Sequence, residues 1–209
     1  MIKALISDFG GVLMRTRSDS PRRALEQRLG LAPRTIEACV FSSELSLSAQ
    51  RGEISEDAFW RTLERDLDLP RRGMTLLEFQ DEFFSEDSLD EELMALIRSV
   101  RPGLKTGLIS NAWDGLREVL LTRVPIADAF DVLVISAEEK SMKPEARLYH
   151  LALERLGVKA GEAIFLDDFS ENVRAANALG LIGVHFHSSA QAQQDIRALL
   201  ASQPPAGSA

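Results

Sequence analysis

Three observations predict an α/β fold. Residues 2–13 run from an apolar stretch to one acid, Asp8, with Gly10 and Gly11 just beyond it. A short apolar run bounded by glycine fits a buried parallel strand, and two adjacent glycines would weaken a helix while marking a tight bend. From residue 104 onward, short apolar runs alternate with helical patterns, which specifies a parallel sheet with helices on both faces. Residues 14–100, by contrast, carry several helix signatures and no convincing strand. The first strand must join the later ones, so the helical stretch is an insertion. The predicted architecture is a three-layer, Rossmann-like parallel-sheet core (residues 1–14 and 91–209). A small α-helical bundle cap (residues 15–90) is inserted after its first strand.

Taken in order, the first strand ends at Asp8, on the sheet edge where open α/β folds bind ligands. A buried structural Asp there would need a partner nearby. Ser20-Pro21 then supplies an N-cap with proline at the first helical position, and Gly30 the stop. Pro33 opens a second helix toward Phe41. Ser55-Glu56-Asp57 caps a third, whose Phe59, Trp60, Leu63 and Leu67 recur at helical spacing up to Pro70. Further helices are expected over 75–84 and 90–100, the latter broken by Arg101-Pro102-Gly103. Strands follow at 104–110, 131–136, 163–167 and 181–186, with helices at about 114–122, 145–156, 170–179 and 189–201 between and after them. The tail, 203–209, is small and polar and is expected to fray.

Composition narrows the function. The 209 residues are 45% hydrophobic and 27% charged, which is ordinary for a soluble globular protein. A net charge of −8 argues against sequence-independent nucleic-acid binding, since no broad cationic field would attract phosphates. A local anion site needs only a few convergent donors and stays open. Cys39 is the sole cysteine, so no intrachain disulfide exists and a reducing cytoplasm is the natural reading. Residues 1–13 lack a basic leader region, and no apolar run approaches membrane-spanning length. A cytoplasmic protein with no membrane partner is expected, as a monomer or homodimer.

The strand ends carry the chemistry. The first ends at Asp8 and the second at Ser110-Asn111. The third leads through a loop to Lys143-Pro144, and the fourth ends at Asp167-Asp168, with Asn172 in the opening turns of the next helix. In a parallel sheet these ends share one edge. Carboxylates from separate strands bring hard oxygen ligands to one Mg²⁺, a metal that prefers few carboxylates plus phosphate and water. A serine hydroxyl and a lysine ammonium can hold phosphoryl oxygens. An aspartate facing the phosphorus can act as nucleophile. Singly, each residue is better explained as a cap or turn residue; together and in this order they point to a site.

The same residues resemble the haloacid dehalogenase-like hydrolase superfamily, in the group with a helical cap inserted after strand one. The matching pieces are Ser7-Asp8-Phe9-Gly10-Gly11-Val12-Leu13, Leu108-Ile109-Ser110-Asn111, Met142-Lys143-Pro144-Glu145 and Ile164-Phe165-Leu166-Asp167-Asp168. Asn172, Ala175-Ala176 and Leu179-Gly180 extend the match. The sequence is most similar to the branch of sugar-phosphate phosphatases and the phosphatase domain of epoxide hydrolases, through Arg51-Gly52-Glu53-Ile54-Ser55 and residues 143–149. The resemblance implies a Mg²⁺-dependent phosphatase acting on a small phosphorylated metabolite, such as a sugar phosphate, through an aspartyl-phosphate. It implies Asp8 as nucleophile and metal ligand, with Asp168 and the Gly10 carbonyl as further ligands and Asp167 and Asn172 in support. Ser110 and the Asn111 backbone would bind phosphoryl oxygens, and Lys143 would bridge phosphate and Asp8.

One position departs from that family. Where the family usually carries a second aspartate, two residues after the nucleophile, this chain has Gly10. Glycine keeps the carbonyl and loses the acid that protonates the leaving oxygen, help of about 10²–10⁴-fold. An alternative is therefore a 2-haloacid dehalogenase-type hydrolase, since halide leaves without a proton. Against it, Asp167 and Asp168 would be an unneeded pair of like charges in a metal-free site. From another class, the chain could bind phosphate or a partner without turnover.

Substrate choice is expected in the cap. Arg15, Arg17 and Trp113 are candidates near the cap–core junction, and Glu44 or Glu53 could replace the missing acid; loop charge and packing are the plainer readings. Phe59-Trp60 and Phe83-Phe84 are expected to fill the cap core or its contact with the main domain, with a dimer face as the alternative. His150, His185 and His187 are placed away from the converging ends. Cys39 is read as a small buried apolar residue, and residues 81–92 as a solvated acidic face.

Overall fold

The structure, a computed structural model, describes residues 1–202; the tail expected to fray lies outside the described residues. β1 (Ala4–Ser7) is buried along its whole length, as an apolar central strand should be. The chain turns back over the next residues, where the Leu13 and Met14 N–H groups both donate to the Phe9 carbonyl. β2 (Met14–Thr16) then leads out to the cap.

The cap is a bundle of α1 (Ser20–Arg28), α2 (Thr35–Phe41), α3 (Glu44–Gln50), α4 (Glu56–Asp66) and α5 (Leu76–Phe83). Ser43, Ser55 and Thr75 cap α3, α4 and α5, each side-chain oxygen accepting a first-turn N–H. Leu25, Ile36, Phe59, Trp60, Phe79 and Phe83 form a cap core of their own, so Phe59, Trp60 and Phe83 fill its interior while Phe84 packs half-buried against it. α3 has no counterpart in the sequence reading. Its serines have weak helix propensity, and tertiary bonds fix it instead: Ser46 Oγ donates to the Val40 carbonyl (2.6 Å) and Gln50 Nε2 to that of Phe41 (2.9 Å).

β3 (Asp87–Leu89) returns from the cap and pairs antiparallel with β2, Arg15 opposite Ser88 and Thr16 opposite Asp87. This ribbon corrects the expectation of no strand within 14–100. Three residues a side give no periodic signal, and the partners are far apart in sequence: Thr16 Oγ1 donates to Asp87 Oδ1 (2.6 Å) across 71 positions.

The core continues with α6 (Glu91–Val100), β4 (Lys105–Ser110), α7 (Leu116–Thr122), β5 (Val132–Ile135) and α8 (Ser136–Glu139). It ends with α9 (Ala146–Leu156), β6 (Ala163–Asp167), α10 (Ser170–Ala178), β7 (Ile182–His185) and α11 (Ser189–Ala201). The link expected as a loop before Lys143 contains a helical turn, α8. All strands of the core sheet are parallel, in the order β5-β4-β1-β6-β7. Side chains alternate across the sheet. Leu5, Leu108, Ile164 and Leu166 pack with α6 and α11, whereas Ala4, Ile6, Ile109 and Phe165 pack with α9 and α10. Full burial of each large apolar side chain is worth about 1.5–3 kcal/mol. From β1 the chain builds outward through β4 and β5, then crosses back to β6 and β7. The strand order reverses beside β1, and a ligand crevice is expected at the carboxyl ends there.

Candidate active site

Asp8 follows β1, held in line by its N–H bond to the Leu166 carbonyl of β6 (2.9 Å). Its carboxylate is buried and oriented from two sides. Oδ1 accepts the Phe9 N–H (2.7 Å), and Oδ2 lies 2.7 Å from Lys143 Nζ. The same ammonium lies 2.7 Å from Asp167 Oδ2. Asp167 is saturated, since its oxygens also accept from the Phe169 N–H (2.8 Å) and from Asn172 Nδ2 (3.0 and 3.1 Å). Ser110 is buried at the end of β4, and the neighbouring Asn111 amide is bonded in both directions to the backbone of Lys143. The structure thus brings Asp8, Ser110, Asn111, Lys143, Asp167, Asp168 and Asn172 to one sheet edge, drawn from elements far apart in sequence.

Burial dominates the electrostatics. Desolvation pushes the Asp8 carboxyl up to about 7; Lys143 opposes the rise, and the Asp167 charge adds to it. Burial alone would lower the Lys143 pKa, but Asp8 and Asp167 outweigh it and keep the ammonium charged. Asp168 is raised by burial and then by Asp167. Three carboxylates facing one ammonium leave negative charge in a poorly solvated place.

That imbalance suits a cation. Ligand oxygens of Asp8, Asp167 and Asp168 lie within 4.8 Å of one another. Asp168 Oδ1 is buried with no hydrogen-bond partner, unlike the saturated Asp167. The donors are all hard oxygens, as Mg²⁺ requires. Gly10 is exposed, and a β-carbon on it would meet nothing within 4 Å.

Other expected residues lie elsewhere. Arg15 sits in the β2–β3 ribbon, its Nη2 2.7 Å from Asp90 Oδ2 and its guanidinium 5.7 Å from the Phe186 ring centre, so it braces the linker. Asp90 is buried, caps α6 through the Leu93 N–H (3.0 Å) and accepts from Ser189 Oγ (3.1 Å); it does not belong to a solvated acidic face. Trp113, two residues past Asn111, enters the cap core against Phe59 (4.9 Å between ring centres), Trp60 (5.1 Å) and Phe41 (6.4 Å). Beside it, Ser136 Oγ donates to the Gln50 carbonyl (2.6 Å) and Lys140 Nζ to that of Gly52. Gly52 has φ +65°, and a β-carbon there would come within 2.1 Å of the Ala137 carbonyl, so the cap seats on α8 through a glycine. Arg17, Glu44 and Glu53 are exposed, and Cys39 is half-buried beside the cap core instead of within it.

One site neighbour contradicts the sequence reading. His185 pairs in register with Asp167, and its Nε2 lies 2.9 Å from the Asp168 carbonyl oxygen. Only the register of β7 against β6 reveals the contact, which the sequence does not encode. His150 and His187 are exposed.

Comparison with known proteins agrees with this picture. The sequence family described as haloacid dehalogenase-like hydrolase matches residues 2–180. The chain is 28% identical to a sesquiterpene phosphatase of Aspergillus oryzae, over 95% of this chain and 96% of that one. It is 26% identical to a D-ribitol-5-phosphate phosphatase of Bacteroides thetaiotaomicron, over 97% and 100%. Mouse bifunctional epoxide hydrolase 2 is 30% identical over 54% of this chain, which spans 21% of that protein's length. Among solved structures, a predicted HAD-like family hydrolase from Porphyromonas gingivalis superposes with a TM-score of 0.78 at 24% identity, covering 97% of this chain and 100% of that one. A HAD family enzyme from Bacteroides thetaiotaomicron, in complex with magnesium and inorganic phosphate, superposes at 0.70 with 22% identity over 90% and 96%. No helix among the described residues is long and apolar enough to cross a membrane.

Proposed function

Because the chain belongs to the haloacid dehalogenase-like hydrolases, we propose that it is a Mg²⁺-dependent phosphatase hydrolysing a small phosphorylated metabolite, with Asp8 as nucleophile. The observation that carries this reading is the cluster of Asp8, Asp167 and Asp168 around Lys143, with ligand oxygens within 4.8 Å. Two relatives matched over nearly their full length are named as phosphatases, one for ribitol 5-phosphate.

Asp8, Asp168 and the Gly10 carbonyl would hold Mg²⁺, which supplies charge neutralisation at the phosphoryl oxygens. The Asp8 carboxylate, oriented by the Phe9 N–H, attacks phosphorus as the bond to the leaving oxygen breaks, giving an aspartyl-phosphate. Ser110 and the Asn111 backbone hold phosphoryl oxygens, and Lys143 neutralises charge beside Asp8. Asp167 keeps Lys143 charged and aimed. The leaving oxygen takes its proton from water, since Gly10 offers none. A second water then attacks phosphorus, releasing phosphate and regenerating Asp8. Three carboxylates around one ammonium favour this over cation-free dehalogenation.

The test is turnover of an aryl phosphate by the purified chain with and without Mg²⁺. Metal-dependent release that Asp8→Asn abolishes is expected; turnover indifferent to both, or none at all, would sink the reading.

A further inference from the structure

Asp168 is the site carboxylate with the fewest constraints of its own, yet it is placed tightly. A β-carbon on Gly11, at φ +78°, would lie 2.2 Å from Asp168 Oδ2, so the carboxylate rests directly on the Gly11 backbone. Its Oδ1 has no hydrogen-bond partner. What fixes it from behind is the backbone. The Asp168 carbonyl can only accept, so the 2.9 Å contact with His185 Nε2 requires the tautomer with a proton on that nitrogen.

His185 is itself held. Its carbonyl accepts from Gln191 Nε2 (3.1 Å), while Gln191 Oε1 accepts the His187 N–H (3.0 Å). Gln191 lies in the first turn of α11, anchored by its own N–H to Ser188 Oγ (3.2 Å). The His187 ring, 4.1 Å between centres at 66°, limits rotation of the His185 imidazole. A continuous set of bonds therefore runs from the start of α11 to the backbone of Asp168.

We propose that His185 is a positioning residue for the cation site, its Nε2–H holding the Asp168 carbonyl and so fixing the carboxylate over Gly11. This rests on Asp168 being a ligand to Mg²⁺. Groups that orient ligands from behind typically change metal affinity by about 10–100-fold when removed. Because His185 acts through the backbone, the low end is expected.

The experiment is calorimetric titration of Mg²⁺ into the metal-free full chain without substrate, for the parent, His185→Ala, His185→Asn and His185→Gln. Glutamine carries an N–H at nearly the reach of Nε2; asparagine falls one methylene short. Ala and Asn should bind Mg²⁺ roughly tenfold more weakly and Gln within about threefold of the parent, with the metal-free melting temperature of Asn and Gln alike. Should the Ala variant fail to fold, the Asn–Gln pair decides. Equal affinity in all variants, or equal weakening by Gln and Asn, would overturn the role of His185. A parent that turns over aryl phosphate with Mg²⁺ but loses nothing with Asp168→Asn would overturn it too. A parent with neither Mg²⁺ binding nor turnover would instead fail at the phosphatase reading, and this inference would fall with it.

Discussion

Asn111 and Lys143 hold each other in both directions: Asn111 Nδ2 donates to the Lys143 carbonyl (2.9 Å), and the Lys143 N–H donates to Asn111 Oδ1 (2.8 Å). The end of β4 thereby sets the backbone from which the Lys143 ammonium reaches Asp8. Asn111→Ala should leave the fold intact by circular dichroism and lower kcat for an aryl phosphate about 10²-fold, the cost of misplacing a charged group by about 1 Å. Asn111→Asp should do no better, because it keeps the acceptor but sets a carboxylate against the Lys143 carbonyl. An Ala variant within threefold of the parent would show that Lys143 is positioned by something else.

Gly10 invites a gain-of-function test. The space around a β-carbon there is open to 4 Å, so the first carbon of Gly10→Asp meets no clash. If water is the proton donor in the parent, the new acid should accelerate alkyl phosphates, whose leaving groups need a proton, by about 10²-fold or more. Aryl phosphates should change little. Equal, small effects on both substrate types would mean that a substitute acid already operates, and Glu44 and Glu53 would be the first to replace.

In metal-free protein, folding favours the protonated form of Asp8, whose carboxyl is raised to about 7 from an unfolded value near 3.8. That contribution is fully present below about pH 4 and is lost as pH rises through about 7. Asp8→Asn cannot ionise. In EDTA its melting temperature should therefore climb relative to the parent between pH 4 and 7 and then level off, by about 2–4 °C for each kcal/mol. A difference that is flat across this range would refute the burial-driven shift.

Trp113 belongs to the core by sequence and to the cap by packing, touching Phe41, Phe59 and Trp60. Trp113→Ala should destabilise the protein by about 2–4 kcal/mol, somewhat under the usual cost for an aromatic core residue because the side chain is half-buried. Amide exchange should quicken most at 50–53 and 136–140, where Gln50 and Gly52 seat on Ser136 and Lys140. Uniform loss of protection across both domains would argue that Trp113 supports global stability and not docking.

How much of this was legible in the sequence follows from the range of each signal. The strand ends were readable because each is local: an apolar run, then Asp8, Ser110-Asn111 or Asp167-Asp168. The sharing of Lys143 between Asp8 and Asp167, and the saturation of Asp167 by Asn172 and Phe169, needed coordinates. The β2–β3 ribbon and the His185 contact depend on pairings between distant or newly adjacent strands, which periodicity does not encode. The burial of Asp90 is hidden in the sequence because a run of acids resembles a solvated face, whereas its partners Arg15 and Ser189 come from either end of the chain.

The β2–β3 ribbon has one more implication. It sets Thr16 and Asp87 side by side, joined by a 2.6 Å hydrogen bond, so both ends of the cap leave the sheet from a single doorway. Closing a loop from such a doorway costs only about 0.6 kcal/mol more for each doubling of its length. Cap segments away from the Trp113, Gln50 and Gly52 contacts can therefore change length between these two residues while Asp8, Lys143 and Asp168 keep their places. The sheet edge and the outer cap are mechanically separable at that doorway, and a change of length in one need not be felt by the other.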